Sequence, residues 1–312
     1  MTDITAIGEV LIDLTQTGTG PAGVPLFAAN PGGAPANVAV AAARLGARTA
    51  FLGKVGRDGL GAYLTGVLAE NGVDLSGLRT GSAATTLAVV TVDAAGERDF
   101  TFLRGADGQL TQEEVDSQVL ARTKFLHFGS VSLTASPARE AVLHAVREAR
   151  RLGALVSYDP NYRPALWPDR AQAETQMRQP LPLVDVLKLS QEELPLLSGT
   201  EDLEDGAARL RDLGVSLVLV TLGGGGVFYR LDGAAGRAPG VPVRVADTNG
   251  AGDAFLGAAL SRLCRRGDHP LEGLTPAGLE PILAFANRAA ALTCSRSGAI
   301  PALPTLAELE EA

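Results

Sequence analysis

Hydrophobic positions follow two alternating patterns along most of the chain. Short continuous runs, such as ALVSYD, VDVLKLS and VSLVLVTLG, are typical of strands buried on both faces of a parallel sheet. Longer runs with helical spacing end at glycine, as in PANVAVAAARLG and SPAREAVLHAVREARRLG, and we expect Ser136 to cap the second of these. The alternation predicts a doubly wound α/β fold, with a mostly parallel sheet and helices on both faces.

Both ends of the chain predict strands. DITAIGEVLIDL forms one apolar run, and we interpret it as the first strand, with Asp13 at its end. IPALPTLAELEEA predicts a closing strand followed by a short tail. There is no internal repeat and no low-complexity segment, and 312 residues are enough for two average domains or for one large α/β domain with an appendage.

One region interrupts the alternation of strands and helices. TTLAVVTVDAAGERDFTFLR, at residues 85–104, contains two β-rich runs joined by DAAGER, a pattern that predicts a hairpin. No helix separates the two runs, so we do not expect them to join the parallel sheet. We expect them to form a small antiparallel β lid together with a segment at about residues 15–29.

Composition narrows the classes of function. The chain has 27 Lys and Arg residues against 35 Asp and Glu residues, a net charge of −8, so neither nucleic acid nor a membrane is an expected partner. The negative net charge does not exclude small anionic ligands, because backbone N–H groups bind phosphate without positive side chains. Two cysteines outside any CxxC pair, no signal-peptide pattern and no apolar run of about 18 residues predict a cytoplasmic protein.

The stretch VRVADTNGAGDAFLGAAL combines a turn of small residues with the start of an apolar helix. Gly250, Ala251 and Gly252 would leave the first N–H groups of that helix open to a bulky anion, at the positive end of the helix dipole. Beside such an anion, the Asp253 carboxylate suits a general base. An ordinary acidic residue at a helix start is the alternative. We expect the helix dipole to keep Asp253 ionised at neutral pH.

Two further glycine-rich stretches are compatible with ligand binding. In NPGGAPANVAV, Gly33 allows close backbone approach and Asn37 offers donors and an acceptor to a sugar hydroxyl, although a loop with a helix cap is the commoner explanation. Asp13 could accept from two neighbouring hydroxyls, or serve as a turn residue. In VTLGGGGVFY, the glycines could line a nucleotide or form a hairpin turn. GTGPAG lacks the helix that a dinucleotide-binding motif requires, and the three histidines have no metal-ligand spacing.

Taken in order, these stretches resemble the motifs of the ribokinase-like (pfkB-type) carbohydrate kinases. The matching segments span nearly the whole chain: GGAPANVA with LGKVGRDGLG, YDPNYRPALW, LKLSQEEL, VTLGGGGVFY and DTNGAGDAF. The resemblance implies a single α/β domain over residues 1–312 with a β lid, and the ATP-dependent phosphorylation of a sugar hydroxyl. It also implies that Mg²⁺ accompanies ATP and that the lids of two chains pair into a homodimer.

The same resemblance implies roles for individual residues. Asp253 would be the catalytic base, with Gly250, Ala251 and Gly252 as the anion hole. The residues that would hold the sugar are Asp13, Gly33, Asn37, Arg104 and Arg163. Those that would contact ATP are Ser190, Thr221, Gly223, Gly226 and Asn287. The metal ligands would be Glu193, acting on Mg²⁺ through water, and Asp247 with the Asn249 carbonyl, binding a monovalent cation such as K⁺.

Within the family, GEVLIDL, FLRGADGQLT and DPNYRPALWPD are most similar to fructokinases, which make fructose 6-phosphate. The 2-keto-3-deoxygluconate kinases have a similar NYR segment and are the alternative. Their lids typically supply tyrosines for a carboxylate, whereas this lid offers Phe100 and Phe102, which favours a neutral sugar. A non-catalytic sugar- or nucleotide-sensing protein on the same fold is the alternative of another class, and the presence of Asp253 with its anion hole disfavours it.

Overall fold

A nine-stranded sheet forms the centre of the computed structural model, which describes residues 1–92 and 98–311. Within this part of the chain the strands are β1 (Thr2–Ile7), β2 (Leu11–Thr19), β3 (Pro25–Gly32), β4 (Thr49–Gly56), β5 (Leu78–Gly81), β6 (Leu87–Val92), β7 (Arg98–Leu103), β8 (Thr123–Gly129), β9 (Leu155–Asp159), β10 (Val186–Ser190), β11 (Leu217–Thr221), β12 (Val227–Leu231) and β13 (Ala234–Ala238). The helices are α1 (Ala34–Arg44), α2 (Gly59–Glu70), α3 (Ser117–Ala121), α4 (Ala138–Arg151), α5 (Arg170–Arg178), α6 (Leu194–Ser198), α7 (Leu203–Asp212), α8 (Ala251–Cys264), α9 (Pro276–Cys294) and α10 (Leu306–Glu311).

The large sheet has the strand order β13-β12-β11-β10-β9-β8-β1-β4-β5. Its strands pair in parallel from β11 to β5, and β12 and β13 add an antiparallel edge. One face packs against helices α3 to α7, and the other against α1, α8 and α9. Helices on both faces explain why the central strands are continuous apolar runs, and the doubly wound fold is confirmed.

Four strands form a separate sheet, which we call the small sheet, in the order β3-β2-β6-β7. It consists of two antiparallel hairpins, β2–β3 and β6–β7, and a parallel pairing of β2 with β6 joins them. These strands correspond to the predicted β lid. The predicted DAAGER turn and the side chain of Phe100 lie outside the described residues.

The predicted first strand is wrong in extent, because DITAIGEVLIDL forms two strands in different sheets. The chain leaves the large sheet at Gly8, whose φ of +149° favours glycine, and a Cβ there would lie 2.8 Å from the Pro35 ring. Asp13 therefore lies within β2 of the small sheet, and not at the end of the first strand. The residues on both sides of the break are buried without interruption, so the hydrophobic pattern did not reveal where the strand ends.

Two smaller predictions are also wrong. The C-terminal segment forms a short 3₁₀ turn and then α10, because the Thr305 N–H donates to Glu308 Oε2 at 2.8 Å in a capping arrangement that begins a helix. Ser136 does not cap α4, which begins at Ala138 without a side-chain cap. Its hydroxyl donates instead to the Glu140 carboxylate at 2.8 Å.

In the part of the chain that the structure describes, no helix is both long enough and apolar enough to cross a membrane.

Candidate active site

Helices α1 and α8 meet close to their N-termini. Each follows a glycine with positive φ, Gly33 at +106° and Gly250 at +77°, and neither has a side-chain cap. Asn37 lies in the first turns of α1, and its Nδ2 donates to Asp253 Oδ2 over 2.7 Å. The fold thereby joins two predicted site residues that are 216 positions apart in the sequence.

The carboxyl group of Asp253 is buried beside this hydrogen bond. Burial raises its pKa to about 6, and the charge of Asp159 adds to the effect. The hydrogen bond from Asn37 and the charges of Lys188 and Arg163 act in the opposite direction. Burial therefore outweighs these opposing effects. A pKa of about 6 leaves Asp253 mostly ionised at neutral pH, as expected.

The first turn of α8 is open to a ligand at two of its N–H groups. The Ala251 N–H donates to the Thr248 carbonyl at 3.3 Å, so it is occupied. Within the described residues, the N–H groups of Gly252 and Asp253 have no such partner. A Cβ at Gly252 would lie 2.7 Å from Lys188 Nζ, which places a cation against this open turn.

Lys188 and Asp159 are functional candidates that the sequence interpretation missed. Lys188 Nζ donates to Asp159 Oδ2 at 2.8 Å, and both side chains are buried. Although burial favours the neutral amine, the carboxylates of Asp159 and Glu193 raise the pKa of Lys188, which stays charged. The lone lysine in VDVLKLS was the available signal, because a buried strand tolerates a charge only when it is paired.

Two further predicted sugar residues, Asp13 and Arg163, also lie near Asp253. Gly32 lies so close to Asp13 that a Cβ would overlap its Oδ2, and a Cβ at Gly33 would lie 2.5 Å from a backbone carbonyl. Burial raises the pKa of Asp13 to about 6, and Asp253 adds to the shift. The charge of Arg163 lowers the pKa of both carboxyl groups, so this exposed residue lies near both, and it also lines a cleft with Lys188 and Glu193.

Arg104 is held by protein groups at the base of the small sheet. Its Nη2 is 2.7 Å from Asp107 Oδ2, and its Nη1 donates to the Val131 carbonyl at 2.9 Å and to Thr134 Oγ1 at 3.0 Å. These contacts join Arg104 to protein groups, whereas its buried Nε has no hydrogen-bond partner in the described residues. Its role as a sugar ligand stays a prediction.

A second buried acid, Glu9, lies near Arg104 and was also missed. The Ser132 hydroxyl is 3.5 Å from its Oε2, and burial raises the pKa of Glu9 to about 7, with Asp107 and Asp253 adding to the shift. The acid in GEVLIDL was the signal, since the residues around it are apolar.

The Glu193 carboxylate joins two loops at the carboxyl ends of β9 and β10. One oxygen accepts from the Tyr162 N–H at 2.6 Å and the other from the Ser190 N–H at 2.7 Å. Burial raises its pKa, an effect to which Asp159 adds and which Lys188 opposes. Since both oxygens accept backbone hydrogen bonds, this geometry fits an action on Mg²⁺ through water. Glu193, Ser190 and Lys188 line a cleft of about 290 Å³.

The other predicted ATP residues fall into two groups. Gly223 is exposed, with φ of +55° and no atom within 4 Å of a Cβ position, so it is accessible to a ligand. Thr221, Gly226 and Asn287 have structural partners. Thr221 Oγ1 donates to the Leu189 carbonyl, a Cβ at Gly226 would overlap the Ala238 carbonyl, and Asn287 Nδ2 donates to the Pro239 carbonyl at 2.8 Å.

The predicted monovalent-cation residues lie in the loop before α8. Asp247 Oδ1 accepts from the Asn249 N–H at 3.1 Å, and its Oδ2 accepts from the Gly298 N–H at 3.1 Å. The carboxylate thus links this loop to the segment that follows α9.

Comparisons with known proteins agree with this geometry. The family model described as pfkB family carbohydrate kinase matches residues 1–306. Fructokinase-1 from Oryza sativa subsp. japonica is 43% identical over 312 residues, which cover 98% of this chain and 96% of the relative.

Solved structures of similar proteins carry ligands. A fructokinase from Xylella fastidiosa with bound ATP has a TM-score of 0.91 and 35% identity, and the match covers 100% of this chain and 98% of the other. A fructokinase from Vibrio cholerae O395 in a form with fructose, ADP and calcium ion bound has a TM-score of 0.87 and 34% identity, with 99% and 97% covered. This chain is a carbohydrate kinase that belongs to the pfkB family.

Proposed function

We propose that this chain is a fructokinase, which transfers the γ-phosphoryl group of ATP to the 6-hydroxyl of fructose. The observation that carries the proposal is the juxtaposition of a buried carboxylate, Asp253, with the open first turn of α8 and with the ammonium of Lys188. A base, an anion hole and a cation within one cleft are the groups that phosphoryl transfer to a hydroxyl requires.

Asp253 acts as the general base in this proposal. The 6-hydroxyl oxygen bonds to the γ-phosphorus, the bond from that phosphorus to the bridging oxygen of ADP breaks, and the hydroxyl proton passes to Asp253. Asn37 holds Oδ2 of the carboxylate, which leaves Oδ1 to receive the proton. The N–H groups of Gly252 and Asp253 and the ammonium of Lys188 stabilise the charge on the transferred group.

The sugar would bind between the small sheet and α1. Asp13 accepts hydrogen bonds from sugar hydroxyls, and the absence of side chains at Gly32 and Gly33 allows the ring to approach the backbone. Asn37 Oδ1 is buried and has no hydrogen-bond partner in the described residues, so a sugar hydroxyl would satisfy it. Arg163, whose charge acts on both Asp13 and Asp253, and Arg104 are the remaining sugar ligands that we propose.

The nucleotide side of the cleft fits ATP with Mg²⁺. Asp159 Oδ1 is a buried carboxylate oxygen without a hydrogen-bond partner in the described residues, and it lies near Glu193. Oxygens of this kind suit a hydrated Mg²⁺, which would neutralise charge on the triphosphate when bound. We assign ATP to the side of Ser190, Thr221 and the residue 223–226 turn, and K⁺ to the loop of Asp247 and Asn249.

A substrate panel tests the choice of sugar. We expect fructose to give the highest kcat/KM among fructose, ribose, 2-keto-3-deoxygluconate and nucleosides, each assayed with Mg-ATP. A higher value for 2-keto-3-deoxygluconate would transfer the assignment to that sugar acid. Binding of both ligands without turnover on any member of the panel would support a sensing protein instead.

We also propose that the small sheet pairs with that of a second chain, in the cytoplasm. In the described residues of the small sheet, Leu26 and Phe27 on the edge strand β3 and Leu103 on the other edge strand β7 are apolar and exposed, as is Val24 just before β3, and their exposures are 37–57%. Apolar side chains that remain exposed on both edges of a sheet are compatible with an association surface. The free thiols of Cys264 and Cys294 suit a reducing compartment. Sedimentation at micromolar concentration should give a dimer, and a monomer throughout that range would contradict the pairing.

A further inference from the structure

Arg44, at the last residue of α1, makes three hydrogen bonds that the phosphoryl-transfer mechanism has not used. Its Nη1 donates to the Leu303 carbonyl at 2.6 Å and to the Ile300 carbonyl at 3.0 Å. Its Nε donates to Asn71 Oδ1 at 2.6 Å, just beyond the end of α2. A half-buried guanidinium thus joins the ends of two helices to the turn that follows α9.

That turn supports the start of α8. Ala299, next to Ile300, is fully buried, and its Cα would lie 3.2 Å from a Cβ at Gly250, the glycine before α8. One residue earlier, the Gly298 N–H donates to Asp247 Oδ2 at 3.1 Å. The segment held by Arg44 therefore contacts both the glycine that sets the direction of α8 and the loop that leads into it.

We propose that Arg44 is a positioning residue for phosphoryl transfer. Its guanidinium fixes the turn at residues 300–303, and through Ala299 this turn fixes Gly250 and the open first turn of α8. The inference rests on the proposed kinase function, because it concerns the anion hole of that same site. It assigns a role in the reaction to a side chain that touches neither the sugar nor ATP.

Apolar packing of the turn is the competing explanation. Ile300 and Leu303 are buried in the same cluster as α1 and α2, so their side chains could hold the turn without the guanidinium. The two explanations differ in what the Arg44 side chain does to turnover, since packing would survive its replacement. A rigidly placed donor set loses much of its effect when it moves by about 1 Å, which costs about 10²-fold in rate.

The experiment compares Arg44→Ala, Arg44→Lys and Arg48→Ala, with the sugar that the wild type phosphorylates fastest. Arg48 is the matched control, because its guanidinium pairs with Asp3 at the surface. We expect Arg44→Ala to lower kcat by about 10- to 100-fold, with the KM for the sugar nearly unchanged. The kcat of Arg44→Lys should lie between those of Arg44→Ala and the wild type, because one ammonium cannot span the three acceptors. The kcat of Arg48→Ala should equal that of the wild type.

Chemical rescue separates positioning from folding. Guanidinium ion added to Arg44→Ala should restore part of the lost kcat at a concentration that leaves its circular dichroism unchanged. Wild-type kcat in folded Arg44→Ala, or a loss of kcat that guanidinium does not reverse, would overturn the inference. If Arg44→Ala does not fold, Arg44→Lys decides, and full activity there would overturn it. A wild type inactive on every sugar would contradict the proposed function, and this inference with it.

Discussion

Helices α1 and α8 begin differently from helices α2 and α9. The first two follow Gly33 and Gly250, at positive φ and without a side-chain cap. The other two follow Asp58 and Thr275, whose side chains accept hydrogen bonds from N–H groups of the first turn. A cap of this kind contributes about 1 kcal/mol to stability. The chain forgoes this contribution at the two helices that line the proposed site.

The difference shows what an open helix N-terminus provides. A capping side chain would occupy the N–H groups that the proposed mechanism uses for the phosphoryl group, and a Cβ at Gly33 would collide with the Glu9 carbonyl. The first turns of α1 and α8 carry Asn37 and Asp253, the proposed sugar ligand and the proposed base. We therefore expect substitutions at the start of α8 to change turnover, and substitutions at the start of α2 to change stability.

The largest expected effect is that of Asp253→Asn, which keeps the shape and removes the base. We expect kcat to fall by about 10²–10⁴. The pKa of about 6 in the folded chain lies above the ordinary value of 3.8, so ionisation of this carboxyl costs stability as the pH rises through that range. The variant should therefore melt higher than the wild type at pH 7, but not at pH 4. A lower melting temperature at pH 7 would mean that the carboxylate stabilises the fold.

The next effect concerns the sugar. Asp13→Ala removes a charged acceptor, which should cost about 1.5–3 kcal/mol of sugar binding. This corresponds to a rise in the sugar KM of about 10- to 150-fold, with the KM for ATP unchanged. Thr15→Ala, two residues further along β2, is the control and should leave both constants near wild type. An unchanged sugar KM in Asp13→Ala would remove Asp13 from the site.

A pair of glycines compares the two kinds of helix start directly. Gly252→Ala places a methyl group against Lys188 Nζ, whereas Gly59→Ala in the first turn of α2 meets no atom within 4 Å. We expect only Gly252→Ala to lower kcat, by about tenfold. This is less than the loss of about 10²–10³ on removing a donor, because the Gly252 N–H would be displaced and not removed. Equal kcat values in the two variants would contradict the difference between the helices.

The smallest effect is expected at the cap of α2. Asp58 Oδ1 accepts from the Gly61 N–H at 2.7 Å, and Oδ2 accepts from the Thr85 N–H at 2.8 Å. Asp58→Ala should lower the free energy of unfolding by about 1–2 kcal/mol. Urea titration checks the stability, and kcat should remain at the wild-type value. A loss of kcat in the folded variant would place α2 in the reaction.

Sequence reasoning succeeded where the determinants are local. The glycines around Asp253 and the alternation of strands and helices lie in continuous stretches. Neighbouring residues were therefore enough to predict the uncapped helix start and the α/β fold. It failed where distant segments meet. The ion pair of Lys188 with Asp159 joins two strands, and the break at Gly8 depends on Pro35, which approaches it from another element. The raised pKa of Asp253 was not predicted either, because burial depends on the whole fold.

The most direct test of the central claim, that Asp253 is the base, is the pH dependence of kcat at saturating fructose and Mg-ATP. Wild-type kcat should fall as the pH drops through the pKa of Asp253, at about 6 in the free chain and higher beside the bound triphosphate. Asp253→Asn should retain a small rate without this acidic limb. Glu9→Gln, which removes a second buried acid whose pKa is about 7, should keep the limb. The same limb in Asp253→Asn, or its loss in Glu9→Gln, would contradict the assignment.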